Sequence, residues 1–348
     1  MRVAMYYNNK DVRVEEMPVP KIGHRELLVK VIASGICGSD VMEWYRIKKA
    51  PRVLGHEIAG EIVEVGNNVR QKLTPDTHYK VGGRVFVSHH VPCNECRYCL
   101  AGYHTLCDTL HSTNFDPGGF AEYIRVPEIN VEQGVYLLPD EVSFEEATFI
   151  EPLGCVVRGQ RITGIKKGDT VLVIGSGISG LLHIQLARVL GAKQVIATDI
   201  NEYRLDAANR FGADTVIHGK EDVPARVQEV NDGKLADRVL ICTAALYAIK
   251  QAFHSVDRAG TILFFAPTAP DIEIPFPLFE LWNKQVTLVS TYAAVEPDIK
   301  KSIELIRIRK IKVHEMITHR LALKDTDLGF QLVAQANKSI KVIIEPHK

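Results

Sequence analysis

Four cysteines, Cys93, Cys96, Cys99 and Cys107, follow one another with the spacing C-x2-C-x2-C-x7-C. Four thiolates so close in the chain can surround a single tetrahedral ion. A bacterial ferredoxin run would end with a gap of three and a following proline. Here the last gap is seven and Asp108 follows, so the pattern predicts a structural zinc. A second set is sparser: Cys37, then His56 and Glu57 within Gly55-His56-Glu57. Cysteine and histidine are zinc donors, and a catalytic site keeps one position open. Alone, that pair would prove nothing, because a buried cysteine ordinarily packs as a small apolar residue.

The third pattern is Gly175-Ser176-Gly177-Ile178-Ser179-Gly180. It follows the apolar run Val171–Ile174 and opens a helical stretch, the context that dinucleotide binding requires. The glycines permit a tight turn and close approach of backbone to pyrophosphate, and the helix start offers free N–H groups. Asp199 stands nineteen residues beyond Gly180, at the end of the next predicted strand. An acid there accepts hydrogen bonds from a ribose 2′-OH and repels a 2′-phosphate, which favours NAD over NADP. Arg204 is read as a contact to the ribose or adenine edge.

These residues need elements to hold them. Residues 1–150 read as β-rich, with short apolar runs at Leu27–Ala33, Ile58–Val65 and Val85–Val87 broken by glycine, proline and charge. Ser143-Phe144-Glu145-Glu146 matches a capping box and predicts a helix running towards Glu151-Pro152. From about residue 154 strand and helix alternate: strands at 171–174, 194–198, 215–217, 238–242 and 261–265, helices at 181–190 and 201–211. That alternation means a parallel sheet with crossovers. Pro297–Arg309 reads as helix, Lys341–Glu345 as strand, and the charged stretch Arg307–Lys312 as a solvated helix end. The expected division is α/β: residues 1–153 and 292–348 in one domain, and 154–291 in a doubly wound nucleotide domain between them.

Composition excludes several classes. The 348 residues carry 42 Lys+Arg and 42 Asp+Glu, a net charge of zero. No basic stripe argues for nucleic acid. No apolar run reaches the ~18 residues of a membrane span, and the N-terminus has no signal-peptide core. A cytoplasmic protein with reduced cysteines is expected.

Taken together, Gly55-His56-Glu57-Ile58-Ala59-Gly60 continued by Gly66 and Val69, Cys37-Gly38-Ser39-Asp40, the cysteine lobe, Gly118-Gly119-Phe120-Ala121-Glu122-Tyr123 and Glu151-Pro152-Leu153 resemble the zinc-dependent medium-chain alcohol dehydrogenase/reductase family, on its sorbitol (polyol) and threonine dehydrogenase branch. The resemblance covers the whole chain. It implies a GroES-like catalytic domain plus a Rossmann domain, two zinc ions, NAD and a small-molecule alcohol or ketone substrate. It implies Cys37 and His56 as catalytic-zinc ligands, joined by Glu57, by Glu151, or by each in turn. Ser39 corresponds to the hydroxyl that takes the substrate proton. Relatives often carry a histidine three residues later as a relay; this chain has Met42, leaving Glu43, the ribose or water for that role. Thr243, Ala266 and Pro267 would edge the nicotinamide. Trp44, Tyr45, His90, Phe115 and Tyr292 are pocket candidates. Cys155 and Cys242 are expected in the core.

The implied activity is hydride transfer between NAD and a secondary alcohol of a polyol, sugar acid or related sugar. An L-threonine or 2,3-diol dehydrogenase is the near alternative. A non-catalytic zinc or redox-carrier protein is the alternative of another class. Relatives are homodimers or homotetramers, with strands near residues 286–290 pairing across subunits.

Overall fold

A computed structural model describes residues 1–69 and 78–348. Two units divide the chain: Met1–Gly154 with Ala293–Ile308 and Val313–Lys348, and Cys155–Tyr292 with Arg309–Lys312.

The first unit is built on strands whose side chains alternate between a packed interior and the opposite face. Its main sheet runs Ile317–Ala322, Lys341–Glu345, Leu27–Gly35, Glu57–Val65, Arg84–Val87, Val135–Leu137, and Tyr123–Val126 also pairs with Leu27–Gly35. Leu27, Val29, Val31, Ile58, Ile62, Val85 and Ile124 form one buried cluster in it. A three-stranded sheet orders Asp11–Glu16, Arg2–Asn8 and Arg52–Val53. The register places Gly35 opposite Glu57 on one side and Ile343 on the other. A Cβ at Gly35 would lie 2.5 Å from both Glu57 Oε2 and Lys341 Nζ. Glycine there makes room for two buried charged side chains.

The capping box forms: Ser143 Oγ accepts from Glu146 N–H at 3.1 Å, and Glu146 Oε2 accepts from Ser143 N–H at 2.9 Å. The expected single helix is instead two, Phe144–Ala147 and Ile150–Thr163. Pro152 explains the break. It lies in the first turn of the second helix, where a missing N–H costs nothing, and it would have disrupted one continuous helix.

The second unit has six parallel strands ordered Thr215–His218, Gln194–Asp199, Thr170–Ile174, Ala236–Ile241, Val256–Phe264 and Thr287–Ser290. That is the 3-2-1-4-5-6 order of the doubly wound dinucleotide fold. The central strand Thr170–Ile174 is buried along its whole length, as a strand covered on both faces must be. The fifth strand starts at Val256, five residues earlier than the apolar run indicates, because Asp257–Ala259 is polar or small yet still extends the strand. The stretch Arg307–Lys312 is not simply a solvated helix end. Its helix stops at Arg307, Ile311 is buried, and Lys312 N–H donates to Gln185 Oε1 at 2.7 Å. Among the described residues, no helix is long and apolar enough to cross a membrane.

Candidate active site

Strand Leu27–Gly35 ends two residues before Cys37, and strand Glu57–Val65 begins one residue after His56. Because these strands are neighbours, their ends bring Cys37, His56 and Glu57 together, with one donor atom from each within 4.8 Å of the others. One sulfur, one imidazole nitrogen and one carboxylate oxygen fit a catalytic zinc with a fourth position open. Glu151, in the first turn of helix Ile150–Thr163, is not a member of that group.

The turn Gly38–Val41 positions the rest. Cys37 Sγ accepts from the backbone N–H and the hydroxyl of Ser39, both at 3.4 Å. Asp40, fully buried, accepts from Cys37 N–H at 3.1 Å and faces His56 Nδ1 at 3.4 Å. A proton on Nδ1 leaves Nε2 as the metal-facing nitrogen, the familiar carboxylate–histidine–metal arrangement. Burial pushes His56 towards its neutral form, but Asp40 and Cys37 outweigh it and hold its pKa well above the ordinary value. Burial likewise opposes ionisation of Asp40, yet His56 and Arg46 bring its pKa below the usual carboxylate range.

Three further residues belong here that motif reading passed over. Lys341 Nζ pairs with Glu57 Oε2, both side chains almost wholly buried, and also sits 5.2 Å from the centre of the Phe149 ring. Arg46 donates from Nη2 to Ser39 Oγ at 2.9 Å and from Nε to Ser39 O at 3.0 Å. His89 lies 4.8 Å from His56 and 3.8 Å from His90, ring to ring, with Nδ1 unpartnered among the described residues. Burial first, then His90 and His56 nearby, keep His89 well below the ordinary histidine range, and burial brings His90 down to about 3. The signal for His89 was available, since it forms a doublet with His90 before Cys93. Lys341 carried none, being the first residue of a short strand with an apolar middle, Val342–Ile344.

The other pocket candidates separate. Trp44 and Tyr45 stand on the short helix Glu43–Arg46, 38% exposed each, with ring centres 5.8 Å apart. Phe115 is a correction. It is buried in the sheet cluster with Val87 and Val131, so its size serves packing rather than a pocket wall. Tyr292 is partly exposed in the second unit.

The cysteine lobe gathers as its spacing implies. Cys107 and Cys93 sulfurs are 3.5 Å apart, Cys96 and Cys99 3.6 Å, Cys93 and Cys99 4.0 Å. A zinc–sulfur bond of about 2.3 Å in a tetrahedron sets sulfurs roughly 3.8 Å apart. Burial and the Cys96 thiol push Cys99 up to about 12, whereas Cys107, despite burial, is drawn to about 6 by the N–H groups of Cys93 and Leu110. Four thiolates at such distances need a shared cation, so the donor set fits structural zinc. Leu110 and Val295 pack around the lobe.

In the second unit, the glycine turn joins strand Thr170–Ile174 to helix Ile178–Val189, which begins at Ile178-Ser179. Gly175 has φ +94°, and a Cβ on Gly180 would lie 1.9 Å from Gly175 O, so neither position admits a side chain. Asp199 clamps the turn, accepting from Ser176 N–H at 2.8 Å and Asn201 N–H at 3.0 Å. Arg204 overhangs Gly177, whose Cβ would meet Arg204 Nη1 at 3.7 Å. Thr243 abuts Gly175, and Ala266 N–H bonds Ile241 O at 3.2 Å, with Pro267 next. All of these lie beyond the carboxyl ends of parallel strands, where ligands bind in such folds. Burial pushes the Cys242 thiol up to about 12, leaving it inert; Cys155 is half-buried in helix Ile150–Thr163.

Comparison with known proteins agrees with this geometry. Residues 23–140 match the model for the alcohol dehydrogenase GroES-like domain, and residues 179–307 that for zinc-binding dehydrogenase. Sorbitol dehydrogenase of Bacillus subtilis is 31% identical over 360 residues, covering 100% of this chain and 98% of its own. "Probable D-xylulose reductase A" of Aspergillus clavatus is 33% identical, covering 96% and 93%. The crystal structure of 2R,3R-butanediol dehydrogenase from Bacillus subtilis superposes with a TM-score of 0.85 at 26% identity, covering 99% of both chains. The chain belongs to the zinc-dependent alcohol dehydrogenase family. It is a zinc- and NAD-dependent oxidoreductase that interconverts alcohols and ketones.

Because Asp40 orients His56, Asp40→Asn is expected to weaken zinc at the Cys37–His56–Glu57 group by about 10- to 100-fold. The cysteine-lobe zinc should stay. Stepwise chelator competition with metal analysis reads the two sites separately. Zinc uptake at His56 must also displace a proton, so affinity there should fall as pH drops through its raised pKa, beginning above the ordinary histidine value.

Proposed function

We propose that this enzyme oxidises a secondary hydroxyl of a polyol, sugar acid or related sugar with NAD, and reduces the matching ketone with NADH. The observation that carries the reading is the group Cys37, His56 and Glu57 with the Ser39 hydroxyl 3.4 Å from Cys37 Sγ. The first three would hold the catalytic zinc, which when bound supplies Lewis-acid polarisation of an alcohol oxygen. NAD supplies the hydride acceptor.

The chain's own residues do the remainder. Ser39 Oγ takes the proton that the alcohol releases. Arg46 already donates to that oxygen and cannot accept a proton, so the onward path runs away from Arg46, to Glu43, water or the cofactor ribose. Asp40 keeps the His56 ring oriented. Lys341 balances the buried charge of Glu57. Trp44, Tyr45, His90 and Tyr292 remain the candidates for contacting substrate. Glu151 stands as an alternative carboxylate for the same zinc. The 2,3-diol and threonine readings use the same machinery and differ only in what the pocket accepts.

In the second unit Gly175, Gly177 and Gly180 with Ile178 and Ser179 would cradle the pyrophosphate, and Asp199 would select NAD. Arg204 would lie against the adenosine, and Thr243, Ala266 and Pro267 against the nicotinamide. We also propose a cytoplasmic homo-oligomer, dimer or tetramer. Thr287–Ser290 is the open edge of its sheet, and Phe276, Leu278, Phe279 and Trp282 beside it are 49–77% exposed. An open edge flanked by large apolar groups favours pairing with a second copy.

Ser39→Ala should lower kcat by at least about 100-fold with little change in NAD binding; full kcat in the variant sinks the assigned role. Asp199→Ala should raise the NADP/NAD ratio of kcat/KM by at least about tenfold. Phe279→Glu with Trp282→Glu should shift the mass measured by light scattering towards the monomer.

A further inference from the structure

Arg46 is the least explained charge near the reacting centre. Its side chain is 14% exposed. Nε bonds Ser39 O, and Nη2 bonds Ser39 Oγ at 2.9 Å and reaches Asp40 Oδ1 at 3.4 Å. Guanidinium carries five donors. The two on Nη1 have no acceptor among the described residues. A planar fork held rigidly beside the hydroxyl that serves the substrate therefore has one edge unspent.

The surroundings add charge of the same sign. Residues 46–52 hold Arg46, Lys48, Lys49 and Arg52 and no acid, in a chain whose net charge is zero. Arg46 and Lys49 both converge on Tyr45, at 4.8 and 5.7 Å from its ring centre. Burial and repulsion from Arg46 pull the pKa of Arg52 below its ordinary value, which marks Arg46 and Arg52 as close neighbours. The nearby acids are already engaged. Asp40 serves His56 and the Cys37 N–H, and Glu43 accepts from Asn9 N–H at 3.3 Å. Lys48, Lys49 and Arg52 form no ion pair among the described residues. A site for neutral polyols alone would gain nothing from three unpaired cations clustered with Arg46, which cost self-repulsion.

We infer that Arg46, supported by Lys49 and Arg52, is a carboxylate subsite, and that the preferred substrate is a sugar acid rather than a neutral polyol. The inference rests on the proposed dehydrogenase function and narrows its substrate class. Nη1 takes the carboxylate while Nη2 and Nε hold Ser39, so one guanidinium fixes the distance between the substrate's acid group and the hydroxyl that reacts. Arginine suits this task because its donors are coplanar and always charged.

The test is kinetic. The zinc-loaded enzyme with NAD is assayed on a panel of C5 and C6 aldonates, on the polyols of the same carbon count, and on threonine. The best aldonate should exceed the best polyol in kcat/KM by at least about tenfold. Added salt should lower the aldonate value and leave the polyol value unchanged. Arg46→Gln should reduce the aldonate/polyol ratio by at least about tenfold, chiefly through KM, and Arg46→Lys should restore part of it. Lys49→Gln should weaken only the aldonates. NADH affinity should not move in any variant.

A polyol-preferring wild type overturns the inference. So does an unchanged ratio in Arg46→Gln with both substrate classes falling together, since Arg46 would then only brace Ser39. Loss of NADH affinity in step with the cation changes also overturns it, because the bound anion would be a cofactor phosphate. Threonine as the best substrate overturns the sugar-acid assignment. Calorimetric titration of the zinc-loaded protein with the aldonate panel reads the subsite without turnover. Aldonate binding lost in Arg46→Gln supports it even where no alcohol is oxidised, an outcome that would defeat the proposed function alone. Absence of aldonate binding overturns it directly.

Discussion

A buried ion pair between Lys341 and Glu57 ties together residues 284 positions apart in the chain. Both side chains are almost completely shielded from water. Burying either charge alone would cost several kcal/mol, on the order of 3–5 when one partner is removed. The first unit is therefore constrained to close its sheet with the C-terminal strand Lys341–Glu345 next to Leu27–Gly35. Gly35, lying between the two, is small because any Cβ would collide with both charged ends. The metal-ligating group inherits its geometry from this closure, since Cys37 leaves one of these strands and Glu57 begins the next.

Around that anchor the polar groups form a short hierarchy. Asp40 takes a backbone N–H from Cys37, faces His56 and receives Arg46. Arg46 in turn grips Ser39 by two bonds. Cys37, the Asp40 carboxylate facing His56, the Ser39 hydroxyl and the Arg46 cation are thus set by one turn, Gly38–Val41, and the short helix that follows. With Met42 in place of a relay histidine, the hydroxyl's protein neighbours are the Arg46 guanidinium, which donates to it, and Cys37 Sγ, which accepts from it.

The cysteine lobe plays a different part. Its sulfurs meet one another and pack against Leu110 and Val295, away from the Cys37 group. It orders a loop-rich segment that has few apolar residues of its own.

Much of this was legible in the residue order. The cysteine spacing, the glycine turn after a buried strand, Asp199 and the Gly55-His56-Glu57 segment are local patterns, and local chemistry explains each. The α/β alternation of the second unit also follows from periodicity. Less legible were features set by distant contacts. Phe115 looked like a pocket wall because aromatic size is visible in sequence, but burial against Val87 and Val131 is not. The helix expected across residues 144–152 split because Pro152 is tolerated only in a first turn. Lys341, Arg46 and His89 joined the site through strand pairing and turn geometry, which bring together residues with no shared motif. Donor types and short spacings, laid out along the chain, define which chemistries are available. Which charges face one another follows from the folded packing, because desolvation and pairing depend on distance in space.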